Sequence, residues 1–445
     1  MGGERFRDYQ PEQMFLLPPR VDEWLPADHL VYFVREVVEE LDLRSIYGGY
    51  ELEEGGQAPH DPRMMVELLL YGYCVGVFSS RKIERATYES VPFRVASGDQ
   101  HPDHATIARF RKRHLVALGA LFVQVLRLCQ QAGLVKLGHV ALDSTKVKAN
   151  ASKHKAMSYA RMLKSEQELQ REVEELLEKA DRQDEAEDRQ YGAGVGEEDL
   201  PKELRFKQQR LKKIREAKEA LEREARQKAQ TELKQRDGGR GPEGGGQGEE
   251  AKPREKAQRN FTDPDSRIML DKAINSFRQC YSCQAAVDEK AQVIVAARVS
   301  QQTNDSRQLV PMSALIRRNS GGRLAKRMSA DSGYYNGAHV DALKGKTDLY
   351  IATEKWKHGQ PPPLSRGRIP RGLSAKQLMG RKVRTKRGRQ IYARRKGIVE
   401  PVFGQIKEAQ GFRQFLLRGV SNVQQEWQLV CVSHNLLKLF RSGWA

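Results

Sequence analysis

Cysteine is scarce in this chain: five thiols in 445 residues, at Cys74, Cys129, Cys280, Cys283 and Cys431. A sparse, odd set in a chain this long excludes a disulfide-built scaffold and fits a reducing compartment. Cys280 and Cys283 make a lone CxxC with no second ligand pair at zinc spacing, so they read as two thiols entering a strand. Long apolar runs are also missing. None approaches the roughly 20 residues that a bilayer demands, so no membrane partner is expected. The opening MGGERFRDYQ has no apolar core of the kind a secretory leader carries. Acidic residues are in the minority, 58 Asp and Glu against 77 Lys and Arg, for a formal net charge of +19. That surplus favours a polyanion, because protein cations displace the counterions condensed on phosphates. With a membrane set aside, nucleic acid is the leading partner class.

The length suggests two to three domains with a full core. Residues 1–135 read as helical. HLVYFVREVVEELDL (29–43) has apolar residues at helical spacing, PRMMVELLLYGYCVGVF (62–78) is apolar enough to be a buried helix, and HATIARFRKRHLVALGALFVQVLRLCQQAGL (104–134) starts behind Asp103 as a cap and stops at Gly133. The stretch from Arg81 to His114 resembles a helix-turn-helix unit whose last helix presents Arg109, Arg111, Lys112 and Arg113 to phosphates. An ordinary helical bundle with a solvated basic edge is the plainer reading of the same residues.

LGHVALDSTKVKAN (137–150) is a short strand with a polar end. Residues 155–260 then turn to Glu, Lys, Arg and Gln. Leu169, Val173, Leu176 and Ala180, then Leu204, Leu211, Ile214, Leu221 and Ala225, form heptad-like seams on either side of the breaker YGAGVGEEDLP (191–201). They predict an antiparallel helical hairpin, followed by a Gly-rich linker at 238–253. From 277 the pattern is α/β: strands at 277–289 and 291–301, a helix at 305–318, a strand at 323–334, a helix at 336–346, a strand at 347–354, and helices at 396–410 and 422–441.

Three acidic residues occupy telling places in that order. Asp143 ends the first strand, Asp331 ends the fourth, and Glu400 lies on the helix after the fifth. In a ribonuclease-H-like mixed five-stranded sheet the first and fourth strands are neighbours, and that helix crosses their ends. Clustered carboxylates repel unless cations lie between them, and oxygen-only ligands suit Mg²⁺ or Mn²⁺. Two such ions about 4 Å apart serve in-line attack on phosphodiesters. Taken singly, each of these residues is more ordinarily a turn or cap residue.

LDSTKVKAN (142–150), SADSGYYN (329–336) and IVEPVFGQIKEAQGFRQFLLRG (398–419) resemble the three catalytic blocks of bacterial insertion-sequence transposases of the DDE class. PRMMVELLLYGYCVGVFSSRKIE (62–84) and HPDHATIARFRKRH (101–114) are similar to the helical domain that precedes the core in that family. The resemblance implies a helical DNA-binding domain at 1–135, a ribonuclease-H-like catalytic domain at 136–154 and 261–445, and a helical insertion with linker at 155–260. It implies that Asp143, Asp331 and Glu400 bind Mg²⁺, with Mn²⁺ as substitute. The substrate would be double-stranded DNA, both terminal repeats and target, cut and rejoined by a homodimer on the DNA. The setting would be the bacterial cytoplasm beside the nucleoid.

One branch of the family carries a Tyr, an Arg and a Lys around the last Glu, which Tyr392, Arg395 and Lys407 resemble. Four residues separate Arg395 from Glu400 where that signature has three, so Arg394, Arg395 and Lys396 compete as phosphate ligands. Lys146, after Asp143, is a further DNA contact. Residues 366–396 hold thirteen Lys or Arg and no Asp or Glu, a density expected to pack poorly without a polyanion. Asp263, Asp265 and Asp271 read first as turn residues, and Trp427, His434 and Asn435 as core. A nuclease without strand transfer and a non-catalytic DNA-binding protein are the alternative readings.

Overall fold

Residues 139–142 of the first strand, His-Val-Ala-Leu, are apolar on both faces apart from His139, and a strand of that kind must be covered on both sides. In the structure, a computed structural model that describes residues 20–50, 58–152, 155–191, 202–236, 252–271, 275–354 and 362–443, it is the centre of the sheet. This strand, β1 (His139–Lys148), is followed by two short strands, β2 (Ala156–Ser158) and β3 (Gln258–Asn260), which pair only with each other. β4 (Arg267–Asp271), β5 (Ser276–Asp288), β6 (Ile294–Ser300), β7 (Arg327–Ala330) and β8 (Asp348–Ile351) complete the mixed sheet, in the order β4-β5-β1-β7-β8 with β6 also on β5. β1 runs antiparallel to β5 and parallel to β7, and β7 runs parallel to β8. All five expected strands are present. β2, β3 and β4 were not read from the sequence, because they are short and β4 has only Met269 buried.

Helices α1 (Leu30–Glu40), α2 (Arg44–Tyr47), α3 (Pro62–Cys74), α4 (Ser80–Glu89), α5 (Val91–Ala96), α6 (His104–Arg113) and α7 (Leu115–Gln131) precede the sheet. α3 begins with Pro62 behind Asp61, whose carboxylate takes the Arg63 amide. At α6 Asp103 takes the amides of Ala105 and Thr106, the capping its position suggested. α10 (Leu309–Asn319), α11 (Gly337–Ala342), α12 (Ala375–Arg384), α13 (Lys386–Gly404) and α14 (Val420–Arg441) belong to the α/β part. One apolar core runs from Val31 in α1 through β1 and β6 to Leu439 in α14. α14 packs on α7, α3 and β6. At Gly119 of α7 an added Cβ would collide with the Gln425 side chain of α14, so the two helices approach closely there. Packing of α14 on α7 and α3 thus runs across the boundary expected near residue 135. Trp427, His434 and Asn435 are core, as read: Trp427 donates to the Gln284 carbonyl, and Asn435 pairs with both backbone groups of Ile294.

The insertion is a hairpin of α8 (Tyr159–Tyr191) and α9 (Lys202–Arg236). Its pairing is antiparallel: Tyr159 meets Glu222, Glu166 meets Arg215 and Lys218, and Glu172 meets Lys207. Tyr159, Met162, Leu169, Leu211, Ile214, Ala217 and Leu221 form a small core of their own. Most of the breaker and of the Gly-rich linker lies outside the described residues.

The basic stretch 366–396 departs from expectation. It builds α12 and the first half of α13. Met379 and Val383, one turn apart on α12, and Ile391 on α13 are buried, and Ser374 with Gln377 closes a capping box. Several of its cations have internal partners: Arg381 holds the carbonyls of Arg366, Gly367 and Arg368, Lys382 pairs with Asp348, and Arg384 pairs with Glu354. Apolar spacing and local acceptors outweigh the charge.

Candidate active site

Leu142 of β1 stands opposite Ala330 of β7 in the parallel register, and the next residue on each chain is an aspartate. Parallel pairing ends there, so Asp143 and Asp331 emerge side by side at the carboxyl ends of neighbouring strands. β1 itself continues to Lys148 along β5, with Asp143 opposite Ala285. The strand is thus longer than the polar tail of its sequence suggested. Asp331 caps the 3-10 turn Ser332–Tyr334, accepting from the Gly333 amide at 2.9 Å. Asn336 caps α11.

Asp143 is about one-fifth exposed and makes two bonds: the Ser144 amide donates to Oδ1 at 2.8 Å and Arg395 Nη1 to Oδ2 at 2.6 Å. Burial pushes the Asp143 carboxyl above its ordinary range. Arg395 offsets part of that rise, and the Asp331 charge adds to it. Burial works against the Arg395 charge, but Asp143, Tyr392 and Asp331 together hold its proton more tightly than in water. Arg395 is buried, and its Nε has no hydrogen-bond partner. Its guanidinium pairs with Asp143, and the Asp331 charge also favours it.

Glu400 is on α13 but on another face. Ile398, Val399 and Val402 are buried, while Glu400 is exposed. Five residues beyond Arg395 correspond to a turn of about 140° around a helix. Pro401 gives up the N–H that would bond the Gly397 carbonyl, and Gln292 Nε2 takes that carbonyl instead at 2.9 Å. After Gly404 the helix widens into a π turn, Gln405–Ala409. Lys407 therefore leaves the line of Glu400 and donates to the Lys146 carbonyl at 2.9 Å. Burial lowers the pKa of Lys407. Among the described residues no three His, Cys, Asp or Glu side chains stand where they would share an ion. The oxygen-only chemistry of Asp143 and Asp331 suits a hard cation; in this structure Asp143 is bonded to Arg395, and Glu400 is exposed and not grouped with them.

The expected DNA contacts divide in two. Arg109, Lys112, Lys396 and Arg394 are exposed, with Arg394 loosely paired to Glu289 at 3.7 Å. Arg113 is exposed, donates to the Gly49 carbonyl and stacks over Tyr50. Arg111 is internal: it is buried and holds the Phe78 carbonyl at 2.8 Å and Ser80 Oγ at 3.2 Å, tying the α3–α4 loop. Lys146 turns to Ser282 Oγ at 2.6 Å, and Tyr392 is packed beside Arg395. All five cysteines are buried free thiols, with Cys280 and Cys283 inside β5. Asp263 and Asp265 are structural: Asp263 accepts from Tyr281 and the Gly419 amide, and Asp265 accepts from the Val420 amide at the start of α14.

Sequence reading passed over Asp305. The expected helix starts at 305, but α10 begins at Leu309, and the Asp305 carboxylate turns inward to Ser144, Ser282 and Gln284.

Comparison with protein families bears on the same segments. A family model described as Transposase domain matches residues 19–113, and one described as Transposase DDE domain matches residues 370–440. Both matches are to transposase families, and together they support an insertion-sequence transposase of the DDE class. No curated protein and no solved structure matches the chain. The first match covers α1 to α6, and the second covers α12, α13 and nearly all of α14, including Tyr392, Arg395, Glu400 and Lys407. Asp143 and Asp331 lie outside both. No single helix among the described residues is long and apolar enough to cross a membrane.

Proposed function

We propose that this transposase binds the terminal repeats of its insertion sequence as a homodimer on the DNA, cleaves strands at the ends, and joins the freed 3′ ends to target DNA. The catalytic carboxylates of this reading are Asp143, Asp331 and Glu400 on a ribonuclease-H-like core. The observation that carries it is the pair of aspartates on adjacent parallel strands beneath α13. The strand order supports the same core, because β6-β5-β1-β7-β8 has the central parallel pair flanked by an antiparallel edge.

Mg²⁺, or Mn²⁺ in its place, would be held by Asp143 and Asp331 with Glu400, and would supply Lewis-acid charge balance for the phosphodiester chemistry. On this reading Arg395 has to release Asp143 before the protein is competent, and α13 has to re-seat to present Glu400. DNA would be gripped by the exposed cations Arg109, Lys112, Arg394 and Lys396, with the helical part at 1–135 and the arm at 155–260 as accessory DNA-facing parts. Work on DNA in the cytoplasm beside the nucleoid fits the basic charge and the buried free thiols.

The test uses duplexes taken from the DNA flanking the coding sequence, with MgCl₂ or MnCl₂. Pre-cleaved ends should yield products longer than the substrate, which pure hydrolysis does not produce. Asp143→Asn should lose cleavage and joining while keeping DNA affinity. Undiminished cleavage by that variant ends the assignment.

A further inference from the structure

The Asp305 carboxylate lies in the loop before α10, yet it caps nothing there. Oδ2 accepts from Ser144 Oγ at 2.8 Å. Oδ1 accepts from Gln284 Nε2 at 2.5 Å and from Ser282 Oγ at 3.3 Å. Ser144 follows Asp143, and its amide donates to the Asp143 carboxylate. Gln284 is fully buried, and its Oε1 accepts from the hydroxyl of Tyr334. Tyr334 belongs to the 3-10 turn that Asp331 caps, and its amide donates to the Asp331 carbonyl at 3.2 Å. Two chains of hydrogen bonds thus leave one carboxylate, the short one to the Asp143 strand and the longer one to the Asp331 turn. The Tyr334 phenol is held well above its usual range by burial first, then by the charges of Asp305, Asp143 and Asp331, so all three bear on one buried hydroxyl.

We propose that Asp305 is a positioning residue of the strand-cleaving centre, fixing the segments that carry Asp143 and Asp331 through Ser144 and through Gln284 and Tyr334. The inference rests on the reading of Asp143 and Asp331 as catalytic. Hydrogen bonds from hydroxyl and amide donors to an ionised acceptor are shorter and stronger than neutral ones, and a network whose members are all satisfied holds a single geometry. Lys146 Nζ, on Ser282 Oγ, brings a positive charge two hydrogen bonds away from the Asp305 carboxylate.

The experiment compares Asp305→Asn, Ser144→Ala, Tyr334→Phe and the Ser144→Ala/Asp305→Asn double variant with wild type and Asp143→Asn. Plasmid nicking in MnCl₂ is measured for each, together with its folded fraction by circular dichroism. The expected result is a fall in kcat of about 10- to 100-fold for Asp305→Asn, the range seen when groups behind functional ligands are removed. KM for plasmid should be unchanged, and the double variant no slower than Asp305→Asn alone, because both substitutions cut the same link. A wild-type kcat for Asp305→Asn beside an inactive Asp143→Asn overturns the inference, as does a loss that merely follows the folded fraction. Nicking retained by Asp143→Asn instead refutes the catalytic reading beneath it. If Asp305→Asn does not fold, Ser144→Ala and Tyr334→Phe decide, and wild-type rates in both overturn the proposal.

Discussion

Arg395 and Asp143, 252 positions apart, form a largely buried 2.6 Å ion pair at the junction of α13 and β1. The guanidinium offsets the mutual repulsion of Asp143 and Asp331, which burial intensifies. An isolated pair of buried carboxylates would favour a proton or a cation, and here the cation is part of the chain.

Removing that cation has two separable consequences. Arg395→Ala should destabilise the metal-free protein by about 3 kcal/mol, since a broken buried pair leaves a charge uncompensated. It should also make added MnCl₂ more stabilising than it is for wild type, because a ligand that binds only the folded state raises its stability by mass action. Thermal melts of both proteins across a MnCl₂ series check this. Equal manganese shifts in the two would show that Arg395 and the ion do not compete.

Neighbouring cations on α6 should behave differently. Arg111→Ala should cost about 2 kcal/mol, because it deletes charge-assisted bonds to Phe78 and Ser80, and should leave the salt dependence of DNA binding unchanged. Lys112→Ala should leave stability within about 0.5 kcal/mol and reduce the log–log salt slope by roughly 0.9 if its exposed ammonium meets a phosphate. Chemical unfolding and DNA titrations at several salt concentrations distinguish the two.

Glu67, in the helical part, supplies a pH dependence. Burial lifts its pKa from 4.5 to about 7, against the opposing pull of Arg35. The folded protein therefore binds more protons than the unfolded chain between those values, and the contribution of Glu67 to stability is complete below 4.5 and lost as pH rises through about 7. The stability of wild type relative to Glu67→Gln should fall by about 3 kcal/mol across that window and level off above it. Denaturation curves of both proteins at a series of pH values measure the difference, and a flat difference would remove Glu67 as its source.

The arm has its own small core, so it should unfold by itself. Ile214, at 1% exposure, is central to that core. Ile214→Asp buries an unpaired charge there and should erase the α8–α9 contribution to far-ultraviolet circular dichroism. The main thermal transition should stay where it is in wild type. A shift of the whole transition would mean that the arm and the sheet unfold as one.

Periodicity and apolar runs revealed the five main strands, the arm seam and the core character of Trp427, because those features depend on neighbours within a few residues. The helices of 375–404 were hidden by their arginines: charge counts spoke for disorder, while Met379, Val383 and Ile391 supplied a buried stripe too sparse to see without a partner surface. Arg111 was read as a surface cation for a related reason. Nothing in FRKRH tells which arginine turns inward until the carbonyl of Phe78 is in reach.

By itself the sequence determined the basic surplus, the order of strands and helices, and the aspartates that follow Leu142 and Ala330, because composition and local patterning are properties of short windows. Only the tertiary structure decided that Arg395 pairs with Asp143, that Glu400 is left exposed on α13, and that Asp305 reaches both aspartate-bearing segments. Each depends on the rotation of α13 or on the path of the loop before α10. Those are fixed by burying Ile398, Val399 and Val402, and by satisfying polar groups whose partners lie more than a hundred residues away.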